Sequence, residues 1–283
     1  MSTVALARTA TAAALRMRTR HGRAPFGPLC PYDLAADEGV QVRFEPIPSL
    51  EGIYRAGPAP LILLSALRQP GRKAYNCAHE LGHHALGHGT RVDELLEVTG
   101  EGFEPDEYAA DCFASALLMP KTAVHAAFAR RRLTPALAAP TEMFAVAGYF
   151  GVGYTTLVGH LERTLGALPE ARAADLRRHT PKSIRRALLG ADADGGVTVV
   201  DAQWRDRAID VEVGDVILVD SLQGTHGECV APVPGKPGAV RAVLAGRGSL
   251  DVASASVTVR VSRKEYRGLS EYRHLEDPDD ETR

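Results

Sequence analysis

The chain has 283 residues, 45% of them hydrophobic and 24% charged, a balance that excludes a disordered, collagen-like or disulfide-scaffold protein. Its 33 Lys and Arg nearly cancel 35 Asp and Glu, so no global charge holds it on nucleic acid or on an anionic membrane. The longest unbroken apolar stretch, Met143 to Ala147, falls far short of the ~20 residues that cross a bilayer, and no membrane span is expected.

Cys30, Cys77, Cys112 and Cys229 are scattered and form no CxxC, which argues against both a disulfide framework and a cysteine zinc site and fits a reducing cytoplasm. The first 24 residues carry Arg8, Arg16, Arg18, Arg20 and Arg23 and no acid. Organelle transit peptides share that composition, but a mobile or docked basic helix accounts for it more simply.

Pro31 to Glu38 reads as a short helix closed by Gly39. Val40, Val42 and Phe44 then alternate with polar neighbours, the pattern of a half-buried strand, and Pro46 and Pro48 end it. Gly52 to Arg55 and Leu61 to Ala66 predict two more strands around the turn-rich 56–60 segment, completing a small antiparallel sheet. Tyr75, Ala78, Leu81, Ala85 and Leu86 recur at helical spacing, giving a helix from about Pro70 to Gly87. Another covers Asp106 to Met119, stopped by Pro120. Three helices are expected between Lys121 and Leu168, the last two, 141–150 and 154–165, arranged like a helix-turn-helix around Gly151-Val152-Gly153. From Pro169 to Gly196 charged and turn residues mark a boundary. Strand signals follow at 197–204, 209–219, 229–233, 240–245 and 257–262, with 210–220 resembling a hairpin. The acidic tail from Glu276 is expected to be disordered.

The chemistry concentrates in His79-Glu80-Leu81-Gly82-His83. Histidines four apart lie one above the other on one helical face, so both imidazoles can turn to one ion. Glu80, beside them, is placed to collect the proton of a metal-activated water, as hydrolysis requires. A catalytic zinc needs a third protein ligand and an open fourth position. The metzincin pattern places a histidine six residues after His83, where this chain has Gly89; His88 is one residue out of register. Among the downstream carboxylates, Asp93, Glu94, Glu97, Glu101 and Glu104 lie in or near a loop. Glu107 starts a helix that would hold it more rigidly. Asp111, one turn further on, can accept a hydrogen bond from the far nitrogen of a ligating histidine.

The string Cys77-Ala-His-Glu-Leu-Gly-His-His, followed by Glu107-Tyr-Ala-Ala-Asp-Cys-Phe-Ala-Ser-Ala-Leu-Leu-Met-Pro120, resembles the ImmA/IrrE family of zinc metallopeptidases, which shows H-E-L-G-H and then E-x-x-A-N/D-x-F-A-x-x-L-L-M-P. The resemblance spans roughly residues 25–168. It implies a minimal zincin-like core with His79, His83 and Glu107 as metal ligands and Glu80 as general base. It also implies a regulatory substrate, a helix-turn-helix transcriptional repressor cut at one site to induce a stress or mobile-element response. The strands of 197–270 lie outside the family pattern.

The expectation is therefore a cytoplasmic α+β metalloendopeptidase. It comprises a basic N-terminal arm (1–24), a zincin-like catalytic domain (25–122), a helical, helix-turn-helix-like region and linker (123–180), a C-terminal all-β domain (181–270) and an acidic tail (271–283). Zinc is the expected cofactor, with manganese or iron as substitutes. The alternative is a non-catalytic DNA-binding or antirepressor protein with a structural metal. Direct DNA contact is not favoured, because 154–165 carries only Arg163 as a base, although Arg172, Arg177, Arg178, Lys182, Arg185 and Arg186 form a denser basic stretch. The Gly52 to Arg55 strand is a candidate sheet edge for substrate. His84 and His88 are expected to face water at the helix end, and Phe103, Tyr108 and Tyr149 are assigned no role.

Overall fold

The computed structural model describes residues 2–24, 26–94, 103–190, 195–205, 207–253 and 255–275. The chain divides into two compact units, the first made of Met1–Ala126, Phe150–Val152 and Arg267–Glu271, the second of the remainder. The architecture is α+β, with a helical N-terminal region and a C-terminal region of sheets.

In the first unit, helix α1 (Thr3–Arg20) starts at Ser2, whose hydroxyl accepts from the Ala5 amide, an N-cap that satisfies one orphan donor. Ala10, Ala13, Ala14 and Met17 form its buried stripe, and the alanines let α1 lie close against α4 (Pro105–Leu118). The expected basic arm is thus an integral core helix. Its Arg18 is buried and donates to the carbonyls of Leu117 (2.6 Å), Ala24 (2.5 Å) and Gly27 (2.5 Å). Leu117 is in the last turn of α4, where carbonyls lack helical partners and a cation is favoured. Burial, with the neighbouring Arg23, lowers the Arg18 guanidinium to about 10, still charged at neutral pH.

Helix α2 (Pro31–Asp37) follows the expected bounds and packs on α3 (Pro70–Leu86). Strands β1 (Gln41–Glu45), β2 (Leu50–Arg55), β3 (Leu61–Ser65), β4 (Arg91–Glu94) and β13 (Gly268–Leu269) form one sheet in the order β13-β1-β3-β2-β4. The sheet is mixed rather than antiparallel, because β1 runs parallel to β3. Pro46 and Pro48 fix φ and offer no amide donors; the chain after β1 bypasses its neighbour, and β2 instead forms a hairpin with β3. The other side of β2 is occupied by β4, so β2 is an interior strand and not the free edge expected for substrate. Helix α3 lies over β2 and β3 and against α4.

The stretch Pro105–Arg130 is long and apolar enough in composition to cross a membrane, more so than the sequence runs suggest. Yet Ala110, Phe113, Ala114, Leu117 and Leu118 are fully buried, as in a core helix of a packed domain.

Helix α5 (Lys121–Arg130) leads towards the second unit, which contains α6 (Pro140–Phe150) and α7 (Tyr154–Gly159); a π-helical turn, His160–Thr164, extends α7. The buried face of α7 includes Leu157 and Val158, and Tyr154 donates to the Leu176 carbonyl. The segment read as a boundary contains two further helices, α8 (Glu170–Arg177) and α9 (Pro181–Leu189), the latter capped by the Thr180 hydroxyl. Half of the basic stretch there is compensated: Asp175 pairs with Arg172 and Arg178, and Glu162 with Arg177.

Strands β5 (Val197–Val200), β7 (Val216–Val219), β10 (Ala239–Ala242) and β9 (Val230–Pro232) make one four-stranded sheet. Strands β6 (Ile209–Glu212), β12 (Ala255–Ser262), β11 (Gly246–Val252) and β8 (Leu222–His226) make another. The expected hairpin at 210–220 does not form, since β6 and β7 belong to different sheets. Asp215 explains the corner between them: its carboxylate accepts from the Gly196 amide (2.6 Å) and the Glu212 amide (3.0 Å), so the chain changes sheet instead of folding back. The acidic tail from 276 lies outside the described residues.

Candidate metal centre

Helices α3 and α4 build the site between them. His79, Glu80 and His83 lie on the buried side of α3, and Glu107 enters from the first turn of α4. What lets the helices approach is Gly82. A Cβ added there would lie 3.1 Å from the Ala110 Cα and 3.2 Å from both its carbonyl oxygen and the Phe113 Cβ, so the helices meet backbone to backbone.

The His79 Nε2 lies 3.0 Å from Glu107 Oε2 and 3.1 Å from His83 Nε2, and His83 Nε2 lies 3.5 Å from the same carboxylate oxygen. Three donor atoms thus form a nearly equilateral triangle, and they are a group suited to hold a metal ion. Zinc bonds of ~2.0–2.1 Å imply tetrahedral edges of about 3.3–3.4 Å, so the spacing fits a divalent ion of that size. The triangle's nitrogens face one another, where at least one would have to carry a proton unless a cation lies among them. Hydrogen bonding to His79 and then His83 holds the Glu107 carboxyl far below the ordinary carboxylate range, against the pull of its own burial.

Each imidazole is also gripped from behind. Asp111 Oδ1 stands 3.0 Å from His79 Nδ1, the contact expected of an orienting carboxylate. The Tyr75 hydroxyl, 3.2 Å away, donates to the same oxygen, and burial, with the Asp111 charge, raises the Tyr75 phenol. Behind His83 stands His88, with Nδ1 atoms 3.0 Å apart. The reading of His84 and His88 as solvated ends of the helix is therefore corrected: His84 Nδ1 meets the Tyr54 hydroxyl at 2.8 Å, and burial lowers both imidazoles. The sequence signal for these contacts is the Gly87 stop, which turns the chain back on α3.

Glu80 is almost fully buried, and a Cβ on Gly52 would come within 2.1 Å of its Oε1. A side chain at that point of β2 would therefore displace the carboxylate. Of the competing ligands, Glu97 and Glu101 lie outside the described residues, and Glu104, the residue before α4, is not in the cluster. Asp93 and Glu94 belong to β4. Cys77 is buried, burial raises the Cys112 thiol, and among the described residues there is no disulfide. Phe103 and Tyr108 are ring neighbours at 5.5 Å. Tyr149 is in the core of the second unit, with Arg131 over its ring and Trp204 at its edge.

Residues 35–161 match the family model described as the IrrE N-terminal-like domain, a peptidase family. The matched span holds the whole cluster and agrees with the resemblance seen over residues 25–168. No curated protein matches the chain.

Proposed function

We propose that the chain is a zinc-dependent endopeptidase that makes a site-specific cut in a regulatory protein, a helix-turn-helix transcriptional repressor, and acts in the cytoplasm. The observation carrying the catalytic part is the convergence of His79, His83 and Glu107 within the span that matches a peptidase family, with the buried Glu80 next to His79 in the same helix. The substrate class rests on the family resemblance.

The residues present fit zinc in number, type and spacing, with His79, His83 and Glu107 as its holders. When bound, zinc supplies Lewis acidity, polarising a scissile carbonyl and acidifying water. Asp111 takes the Nδ1 proton of His79 as a hydrogen bond, which keeps the Nε2 lone pair directed into the cluster. Glu107 brings the negative charge that balances part of a dication. Glu80 accepts the proton released by the attacking water and returns it to the leaving amine, a role its neighbouring position on α3 suits. His79, Glu80 and His83 are buried, which strengthens the charges they meet.

The test is incubation of the purified protein with helix-turn-helix regulators encoded in neighbouring genes. One discrete cut, abolished by chelation, is expected. Glu80→Gln should keep its zinc while cleavage falls by about 10²- to 10⁴-fold, the usual weight of a general base. Full activity in that variant removes Glu80 from the mechanism. Salt-sensitive DNA binding without cleavage would favour an antirepressor, and ready digestion of unfolded casein would favour a scavenging protease.

A further inference from the structure

We propose that His88 is a positioning residue which, together with Asp106, fixes the tautomer of His83 so that its Nε2 lone pair is presented to the metal. This rests on the metallopeptidase reading above and assigns a role to a residue outside both motifs.

The local fold brings His88 into place. Gly87, at φ +73°, ends α3 in the left-handed conformation; its amide bonds the His84 carbonyl and the His88 amide bonds the His83 carbonyl. This is the paired closure of a Schellman turn. It returns the His88 ring onto His83, with centroids 5.1 Å apart.

Two imidazole Nδ1 atoms 3.0 Å apart share one proton, because two bare nitrogens repel and two protonated ones clash. If the proton belongs to His83, its Nε2 is bare and faces His79 and Glu107. If it belongs to His88, neutral His83 must carry its own proton on Nε2, pointed into the cluster where a cation would bind. The position of Asp106 decides between them. Its Oδ1 lies 3.6 Å from His88 Nε2, too long for a direct hydrogen bond but close enough to favour a proton on that nitrogen. A neutral His88 protonated there has a bare Nδ1, ready to accept from His83. Asp106 is itself paired with Arg91, and it adjoins Glu107 in α4, so one helix turn carries both a ligand and the anchor of the opposite ligand. His79 has its carboxylate directly; His83 reaches one through a second imidazole.

The test compares wild type with His88→Phe, which keeps an aromatic ring without an acceptor, and His88→Gln, whose amide oxygen can accept. Zinc affinity is read by chelator competition, and the His83 tautomer by imidazole ¹⁵N NMR on the metal-free protein. His88→Phe should bind zinc about 10- to 100-fold more weakly, the usual weight of an outer partner, and shift His83 towards the Nε2–H form. His88→Gln should recover most of the affinity. Should the Phe variant not fold, Asp106→Asn serves in its place and is expected to weaken zinc severalfold. A His83 that keeps its Nδ1 proton and its zinc affinity in the Phe variant, or in Asp106→Asn, overturns the proposal. A wild type that binds no zinc overturns the metal reading instead, and the tautomer comparison then decides the role of His88 alone.

Discussion

Each unit gathers histidine and carboxylate at a buried point, and the two gatherings differ in where positive charge comes from. In the second unit Asp210 on β6 takes a two-pronged grip from Arg260 on β12, with both N–O distances 2.7 Å; His274 Nε2 stands at 3.4 Å and Arg273 at 3.7 Å. Burial pulls the Asp210 carboxyl up, but hydrogen bonds from His274 and Arg260 outweigh it and hold the group well below the usual range. Guanidinium is permanently charged, so that cluster is complete in itself. In the first unit Glu107 faces two imidazoles whose nitrogens crowd each other at 3.1 Å, and among the described residues its charged partners are these two imidazoles, with no guanidinium. A ligand site is thus recognised by a local deficit of cation, and a structural knot by its absence.

The contrast can be broken first with zinc. At a thousandfold excess over its dissociation constant, zinc should stabilise wild type by about 4 kcal/mol, through binding to the folded state alone. His79→Ala should abolish that gain in a thermal melt, whereas Asp210→Asn should leave it intact. Equal zinc stabilisation in wild type and His79→Ala would dissolve the distinction.

Next comes the ionic knot. Breaking a fully buried pair costs ~3–5 kcal/mol, and because Asp210 keeps about a quarter of its side chain exposed, Asp210→Asn should cost nearer 2 kcal/mol in a denaturant melt. The folded carboxyl is depressed, so its contribution is complete above the unfolded value of ~4 and is lost as pH falls below it towards the folded value. Wild type should therefore lose stability in acid more steeply than Asp210→Asn.

The smallest changes separate the two roles within the first unit. Gly82→Ala must push α4 away by a few tenths of an ångström and should weaken zinc binding about tenfold, a cost of ~1.4 kcal/mol. Gly52→Ala should leave zinc in place and slow cleavage, because its methyl occupies the space of the Glu80 carboxylate. The readouts are chelator competition and turnover; loss of zinc from Gly52→Ala would mean that the strand and the ligands are one mechanical unit.

Much of the centre was legible in the chain because it is periodic. His79 and His83 are tied by one helical turn, and Glu107 and Asp111 by another, so secondary structure alone orders each pair. What escaped prediction depends on contacts between distant segments. Gln41 to Glu45 read correctly as a strand, but its parallel partner is set by three-dimensional pairing. Asp210 to Asp220 alternates as a hairpin would, and only the bonds of Asp215 to Gly196 and Glu212 reveal a corner. The glycines of β11 hid its alternation. Arg177 of α8 reads as part of a basic stretch, and only the fold brings Glu162, from the preceding helical segment, onto it.

The backbone contact of Gly82 with Ala110 acts as a caliper. At this contact Gly82 puts no side chain between the helices, so an ion bound there would meet ligands held close together, a spacing that would suit zinc's radius better than calcium, whose longer bonds of ~2.3–2.6 Å demand wider spacing and more oxygens. Metal choice in this chain would then be governed as much by the missing methyl group of one residue as by the identity of the ligands.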